Sequence, residues 1–187
     1  MQVPQTFCET PGKKLACVFI DTPELSRAYD RLISLCTDVV FVDARDRFVL
    51  AYRVIDSAQG WWWKGGGMRK GETIDDSRNR LMKREVGFVP DGILILDQFF
   101  HQWDRRAEAP FENGKHDFIF LSFVKVNEDT IAKIRLDPSE YDPARGLMRY
   151  DGTQDVRPAV KAAYELYRKL HAPKMREALG VLGDDEC

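Results

Sequence analysis

The chain reads as an α+β fold, a mixed β-sheet sandwiched between α-helices. Three observations predict it: strand-like runs, a helix, further strand-like runs and a late helix follow in that order, a glycine closes the first long helix, and no repeat is present. With 187 residues, 44% of them hydrophobic, the chain can bury one sizeable core and is too short for two ordinary domains. A single domain over residues 1–187 is therefore expected, with an N-terminal arm and helix (1–35), a core (36–152) and a C-terminal helix and tail (153–187).

The elements follow from local chemistry. Within the first twenty residues, "LACVFI" is either an edge strand or an arm. In "DTPELSRAYDRLISL", Thr22 is placed to cap a helix, Pro23 and Glu24 suit its first turn, and Leu25, Tyr29 and Leu32 recur at helical spacing. Residues 38–42 and 47–53 are β-rich and flank the polar turn Asp43 to Asp46, which predicts a hairpin. Strand alternation sends Trp62 to the face opposite Trp61 and Trp63. From Thr73 to Val86, Ile74, Leu81, Met82 and Val86 have helical spacing. Asp75 and Asp76 lie near the start and Lys83 and Arg84 near the end, where the helix dipole favours each, and Gly87 stops the helix. "GILILDQFFHQW" and "HDFIFLSFVKV" read as strands around a polar loop, and "DVRPAVKAAYELYRKLH" as a long helix with Pro158 in its first turn. The tail "GDDEC" is expected to fray.

Composition excludes several classes. Lys and Arg number 28 against 30 Asp and Glu, a net charge of -2, which gives a nucleic-acid backbone or an anionic membrane no electrostatic hold. The start carries no basic-then-apolar leader and no run approaches a membrane span, so a cytoplasmic protein is expected. Cys8, Cys17, Cys36 and Cys187 have no zinc-like spacing and are expected as free thiols.

The stretch "GWWWKGGGMRKGETIDDSRNRLMKREVGF" carries a resemblance. From Gly66, five residues lead to Glu72, seven more to Arg80, and then come Leu81, Met82, Lys83, Arg84, Glu85, Val86, Gly87 and Phe88. In frame and without a gap over residues 66–88, this resembles the box of the Nudix hydrolases, which implies the Nudix fold. The box places Glu where Leu81 and Arg84 stand, and only Glu85 is retained. Those carboxylates share one helix face in the family and hold Mg²⁺ against a diphosphate.

One Mg²⁺, or Mn²⁺ in its place, needs few protein ligands, so Glu85 with a backbone carbonyl of Gly65 or Gly66 is the expected seat. A lone metal is poorly equipped both to clamp a diphosphate and to generate hydroxide beside phosphorus. A diphosphate on a sugar is instead suited to leave while water attacks the anomeric carbon. The segment from "RFVLAYRVIDSAQGWWWKGGG" through the Arg-Leu pair at 80–81 is similar to the GDP-mannose mannosyl hydrolase branch.

That resemblance implies a nucleoside-diphosphate sugar as substrate, a homodimer, Arg53 on the diphosphate with Asp38 beside it, and His116 at the pocket. The plainer reading of Asp38 and Arg53 is a cross-strand ion pair. An Arg common in the branch is Gly67 here, leaving Lys64 or Arg69 to replace its charge. The relatives' loop His, the base, is missing from "LDPSEYDPARGLMRY", where Glu140 and Tyr141 fill the corresponding slots. Glu140 either ligates Mg²⁺, accepts a proton from water, or is a solvated acid. The candidates are thus Asp38 and Glu140 for catalysis, Arg53, Lys64, Arg69 and His116 for substrate, and Glu85, Gly65 and Glu140 for metal. His101 is a core or stacking residue, His171 faces solvent, and Arg105, Arg106 and Lys115 form a charged rim. A conventional pyrophosphohydrolase and a catalytically silent binding module are the competing functions.

Overall fold

The β-branched and aromatic run Val39–Val42 has 0% exposure at every position and forms the middle of a seven-stranded mixed sheet. The structure, a computed structural model, describes residues 22–55, 59–92, 94–104, 110 and 113–180. The "LACVFI" run, Cys8, Cys17, Cys187, Arg105, Arg106 and the acidic tail lie outside them.

The elements are α1 (Thr22–Tyr29), β1 (Ser34–Val42), β2 (Phe48–Arg53), β3 (Gly60–Trp62), β4 (Lys64–Gly67), α2 (Ile74–Glu85), β5 (Leu94–Trp103) and β6 (Lys115–Lys125). They continue with α3 (Glu128–Ala132), a 3₁₀ turn (Pro143–Arg145), β7 (Leu147–Tyr150), α4 (Pro158–Leu166), a π turn (Tyr167–His171) and α5 (Ala172–Ala178). The sheet order is β3-β2-β1-β6-β5, with β4 on β1 and β7 on β2.

Strand β1 runs parallel to β6 from Ser34↔Asp117 to Val42↔Lys125. Its other edge is shared: Phe41 and Val42 pair with β2, whereas Cys36 to Val39 pair with the glycine strand β4. Strands β1 and β2 therefore splay apart, and the glycines fill the gap.

One face of the sheet packs under α2 and α3, where Val39, Phe41, Val49, Leu81, Met82 and Ile131 form a largely aliphatic core. The other face packs under α4 to α5 as an aromatic core with Phe48, Trp62, Trp63, Phe123, Tyr164 and Tyr167. The Tyr167 hydroxyl donates to Asp46 at 2.7 Å, which ties the C-terminal helices to the β1–β2 turn.

Four expectations are corrected here. The first helix ends at Tyr29, and Leu32 lies beyond it 66% exposed, because the chain turns to place Ser34 and Leu35 on β6. The late helix does not end near residue 171 but widens into the π turn and continues as α5. Pro173 has no N–H to give and crowds the preceding turn, and the Ala172 N–H reaches Tyr167 O five residues back. His171 is buried rather than solvent-facing, its Nε2 2.6 Å from Asp97 Oδ2. Trp62 and Trp63 lie on the same face with ring centroids 4.3 Å apart, because β3 ends at Trp62 and the chain breaks alternation before β4.

Candidate functional site

Along the splay of β1 and β2 lies a cavity of about 370 Å³. Its walls include Cys36 and Asp38 of β1, Arg53 of β2, Trp62, Gly65 to Gly67, Arg84, Trp103, Lys115, Asp117 and Glu140. Alternation puts Cys36 and Asp38 on one face of β1, and Lys115, Asp117 and Ile119 on the matching face of β6.

Asp38 is 6% exposed, and its Oδ2 accepts a 2.6 Å hydrogen bond from the Trp63 indole. Burial pushes its carboxyl up to about 7, against the lowering pull of Trp63 and of the Arg53 guanidinium. A Cβ on Gly65 would fall on the Asp38 carboxylate, so glycine is required there by close approach.

Glu85 lies on the far side of the Gly65 peptide. Its Oε2 accepts from the Gly65 N–H at 3.1 Å and from the Tyr141 hydroxyl at 2.6 Å, and its Oε1 from Arg84 Nη2 at 2.7 Å. Burial and the Glu85 carboxylate hold the Tyr141 phenol well above its usual range, so it stays a donor. Glu140 bridges the two guanidiniums, with Oε2 3.2 Å from Arg53 Nη2 and Oε1 3.7 Å from Arg84 Nη2.

The turn entering α2 is fixed by the box itself. Arg80 Nη2 donates to Glu72 Oε2 at 2.8 Å and to Gly67 O at 3.0 Å. Thr73 and Asp76 form a reciprocal capping box.

The structure thus gathers Asp38, Arg53, Gly65 and Glu140 around one cavity, with Glu85 directly beneath. Arg53 pairs with Glu140 and not, as the plain hairpin reading had it, with Asp38. Lys64 is not brought in: it is 0% exposed, its Nζ donates to Val49 O at 3.0 Å, and burial lowers its amine to about 7. Arg69 is exposed, and its backbone N–H serves Glu72. His116 is exposed on an outer groove with Tyr29 and Asn113 and does not line the cavity. His101 stacks on Trp62 at 5.5 Å, and burial lowers it to about 4, leaving it uncharged near neutrality.

Sequence reasoning missed Asp117, Lys115 and the part played by Arg84. Asp117 is 3% exposed; its Oδ2 accepts from the Trp103 indole at 2.6 Å and pairs with Lys115 at 3.1 Å, while Oδ1 is buried without a hydrogen-bond partner among the described residues. Despite the lowering effect of burial, Asp117 keeps the Lys115 amine above its ordinary value. The signal was available in "KHDFI", whose alternation sends Lys115 and Asp117 inward together.

The Mg²⁺ site expected at Glu85, Gly65 and Glu140 is not formed by this arrangement. Both oxygens of Glu85 are engaged, Gly65 meets it with an N–H, and Arg84 stands between Glu85 and Glu140. Among the described residues, no group of three His, Cys, Asp or Glu side chains is placed to hold a metal.

Comparison with solved structures identifies the architecture as the Nudix fold. The chain is similar to a MutT protein from Methanosarcina mazei Go1, at 16% identity over 73% of this chain and 93% of that one, with a TM-score of 0.52. It is also similar to a MutT Nudix hydrolase from Burkholderia pseudomallei, at 18% identity over 72% of this chain and 98% of that one, with a TM-score of 0.53. No protein-family model and no curated protein matches the chain. Among the described residues, no helix is long and apolar enough to cross a membrane.

Proposed function

We propose that the chain is a Nudix-type hydrolase of a nucleoside-diphosphate sugar resembling GDP-mannose. The observation that carries this reading is Asp38, a buried carboxyl held near 7 in a cavity it shares with the cations Arg53, Arg84 and Lys115. A base of that affinity takes a proton from water near neutral pH. The water oxygen bonds to the anomeric carbon, the bond from that carbon to the diphosphate oxygen breaks, and its electron pair leaves with the nucleoside diphosphate. The departing charge is met by Arg53, Arg84 and Lys115. Glu140 acts by positioning the two guanidiniums.

The homodimer that the resemblance implies belongs to the same proposal. It is supported by exposed apolar side chains at one end of the sheet, Leu32, Leu35 and Phe100.

The test is a panel of GDP-hexoses in oxygen-18 water, with Mg²⁺, with Mn²⁺ and with EDTA. Free sugar carrying the label is expected, and Asp38→Asn should lower its rate of release by about 10²–10⁴-fold. Label in phosphate would instead place attack at phosphorus, the conventional pyrophosphohydrolase reaction. A silent binding module is favoured by the sealing of Glu85; it predicts a raised melting temperature with GDP-mannose and no product under any condition.

A further inference from the structure

We propose that Arg84 is a built-in cation that replaces the divalent ion at this site, so that the chain binds a diphosphate without metal. This rests on the reading that the cavity takes a diphosphate, and it adds how that group is held.

In the box frame, position 84 belongs to a carboxylate, and an arginine there inverts the local charge. The structure shows where the charge goes. Arg84 Nη2 lies 2.7 Å from Glu85 Oε1, 3.7 Å from Glu140 Oε1, and 3.9 Å from where a Cβ on Gly66 would stand. It therefore sits over the glycine strand and between the two acids, where a metal bound by those acids would have to be.

Both oxygens of Glu85 are already engaged, Oε1 by Arg84 and Oε2 by the Tyr141 hydroxyl and the Gly65 N–H, so a metal would have to displace or crowd these partners. Glu85 and Glu140 are matched in charge by Arg84 and Arg53, so a divalent ion would enter beside two guanidiniums and be repelled by both. It would also need oxygen ligands at about 2.0–2.1 Å in near-octahedral array, which this donor set does not supply.

A guanidinium needs none of that. It is permanently charged and carries five N–H donors in a planar fork suited to phosphate oxygens. Only Nη2 of Arg84 is engaged among the described residues, and its side chain is 43% exposed at the cavity wall. With Arg53 on the same cavity, an entering diphosphate meets two fixed cations.

Calorimetric titration of GDP, and separately of inorganic pyrophosphate, into the full chain tests this in EDTA and in Mg²⁺. Binding is expected to be equally tight in both. Arg84→Gln should weaken GDP binding roughly 10- to 100-fold, the loss of a charge-assisted hydrogen bond. Arg84→Glu puts back the carboxylate beside Glu85 and should make GDP binding depend on Mg²⁺. Its Mn²⁺ uptake can be followed by electron paramagnetic resonance without any turnover. Binding by the unaltered protein only when Mg²⁺ is present overturns the proposal, as does failure of both probes in both buffers. If Arg84→Glu does not fold, the unaltered protein and Arg84→Gln decide the matter. GDP bound in EDTA with no hydrolysis of GDP-mannose would remove the proposed reaction and leave this inference standing. Turnover only with Mg²⁺ would do the reverse.

Discussion

Two carboxylates flank the Gly65 peptide, and the protein keeps them in opposite conditions. Glu85, at the end of α2, is fully buried and accepts hydrogen bonds from a phenol, a backbone N–H and a guanidinium. Asp38, on β1, is almost as buried but has one neutral indole partner and an open cavity beside it. A carboxylate with three donors, one of them charged, is a structural fixture. A carboxyl with a single neutral donor in a low dielectric holds its proton to an unusually high pH and is free to exchange it. The resemblance directs attention to Glu85, whereas the physics directs it to Asp38.

The largest effect expected from this contrast is at Asp38. Asp38→Asn keeps the shape and the Trp63 contact of the side chain, and should lower turnover of the nucleotide sugar by about 10²–10⁴-fold. Its folding, followed by circular dichroism, should survive. In the unaltered protein the base form appears as pH rises through about 7, so kcat/KM should climb there, and the variant should lose that limb. Stability moves the other way. Because the folded carboxyl holds its proton more tightly than the unfolded one, its contribution is greatest below about 4 and is lost as pH rises through about 7. Urea unfolding across that range should show a slope that Asp38→Asn removes.

Next in size is Glu85→Ala, which strands the Tyr141 hydroxyl and the Gly65 N–H and should cost roughly 3 kcal/mol in urea unfolding. If it left stability unchanged and only abolished turnover, the roles assigned to the two acids would have to be exchanged. Smallest is Tyr141→Phe, which removes one donor from Glu85 and should cost about 1–2 kcal/mol while leaving the pH limb near 7 in place. A displaced limb would mean that the two carboxylates act as one unit.

The contiguous parts of the molecule were the legible ones. The box frame from Gly66 to Phe88 lies in one stretch, and its helix, cap and Arg80 clamp follow from neighbouring residues. The β1–β2 turn and both long strands were legible for the same reason. The sealing of Glu85 was not, because Tyr141 arrives from a loop 56 residues away. Strand β7, four residues long, was hidden in that loop, and its pairing with β2 is fixed by tertiary contact rather than propensity. Lys64 was misjudged because nothing local indicates that its amine turns inward to the Val49 carbonyl. Asp117 was readable from alternation but was given no role, and its neighbour Lys115 was read as rim.

Gly65 sets the terms for anyone redesigning the pocket. Any side chain on it would collide with the Asp38 carboxylate and its amide holds Glu85, so a saturation library at this codon should return the parental residue alone. Diversity belongs instead at Trp62, an uncharged wall that holds none of the cavity's carboxylates, where new shapes can be sampled while the charged array stays in place.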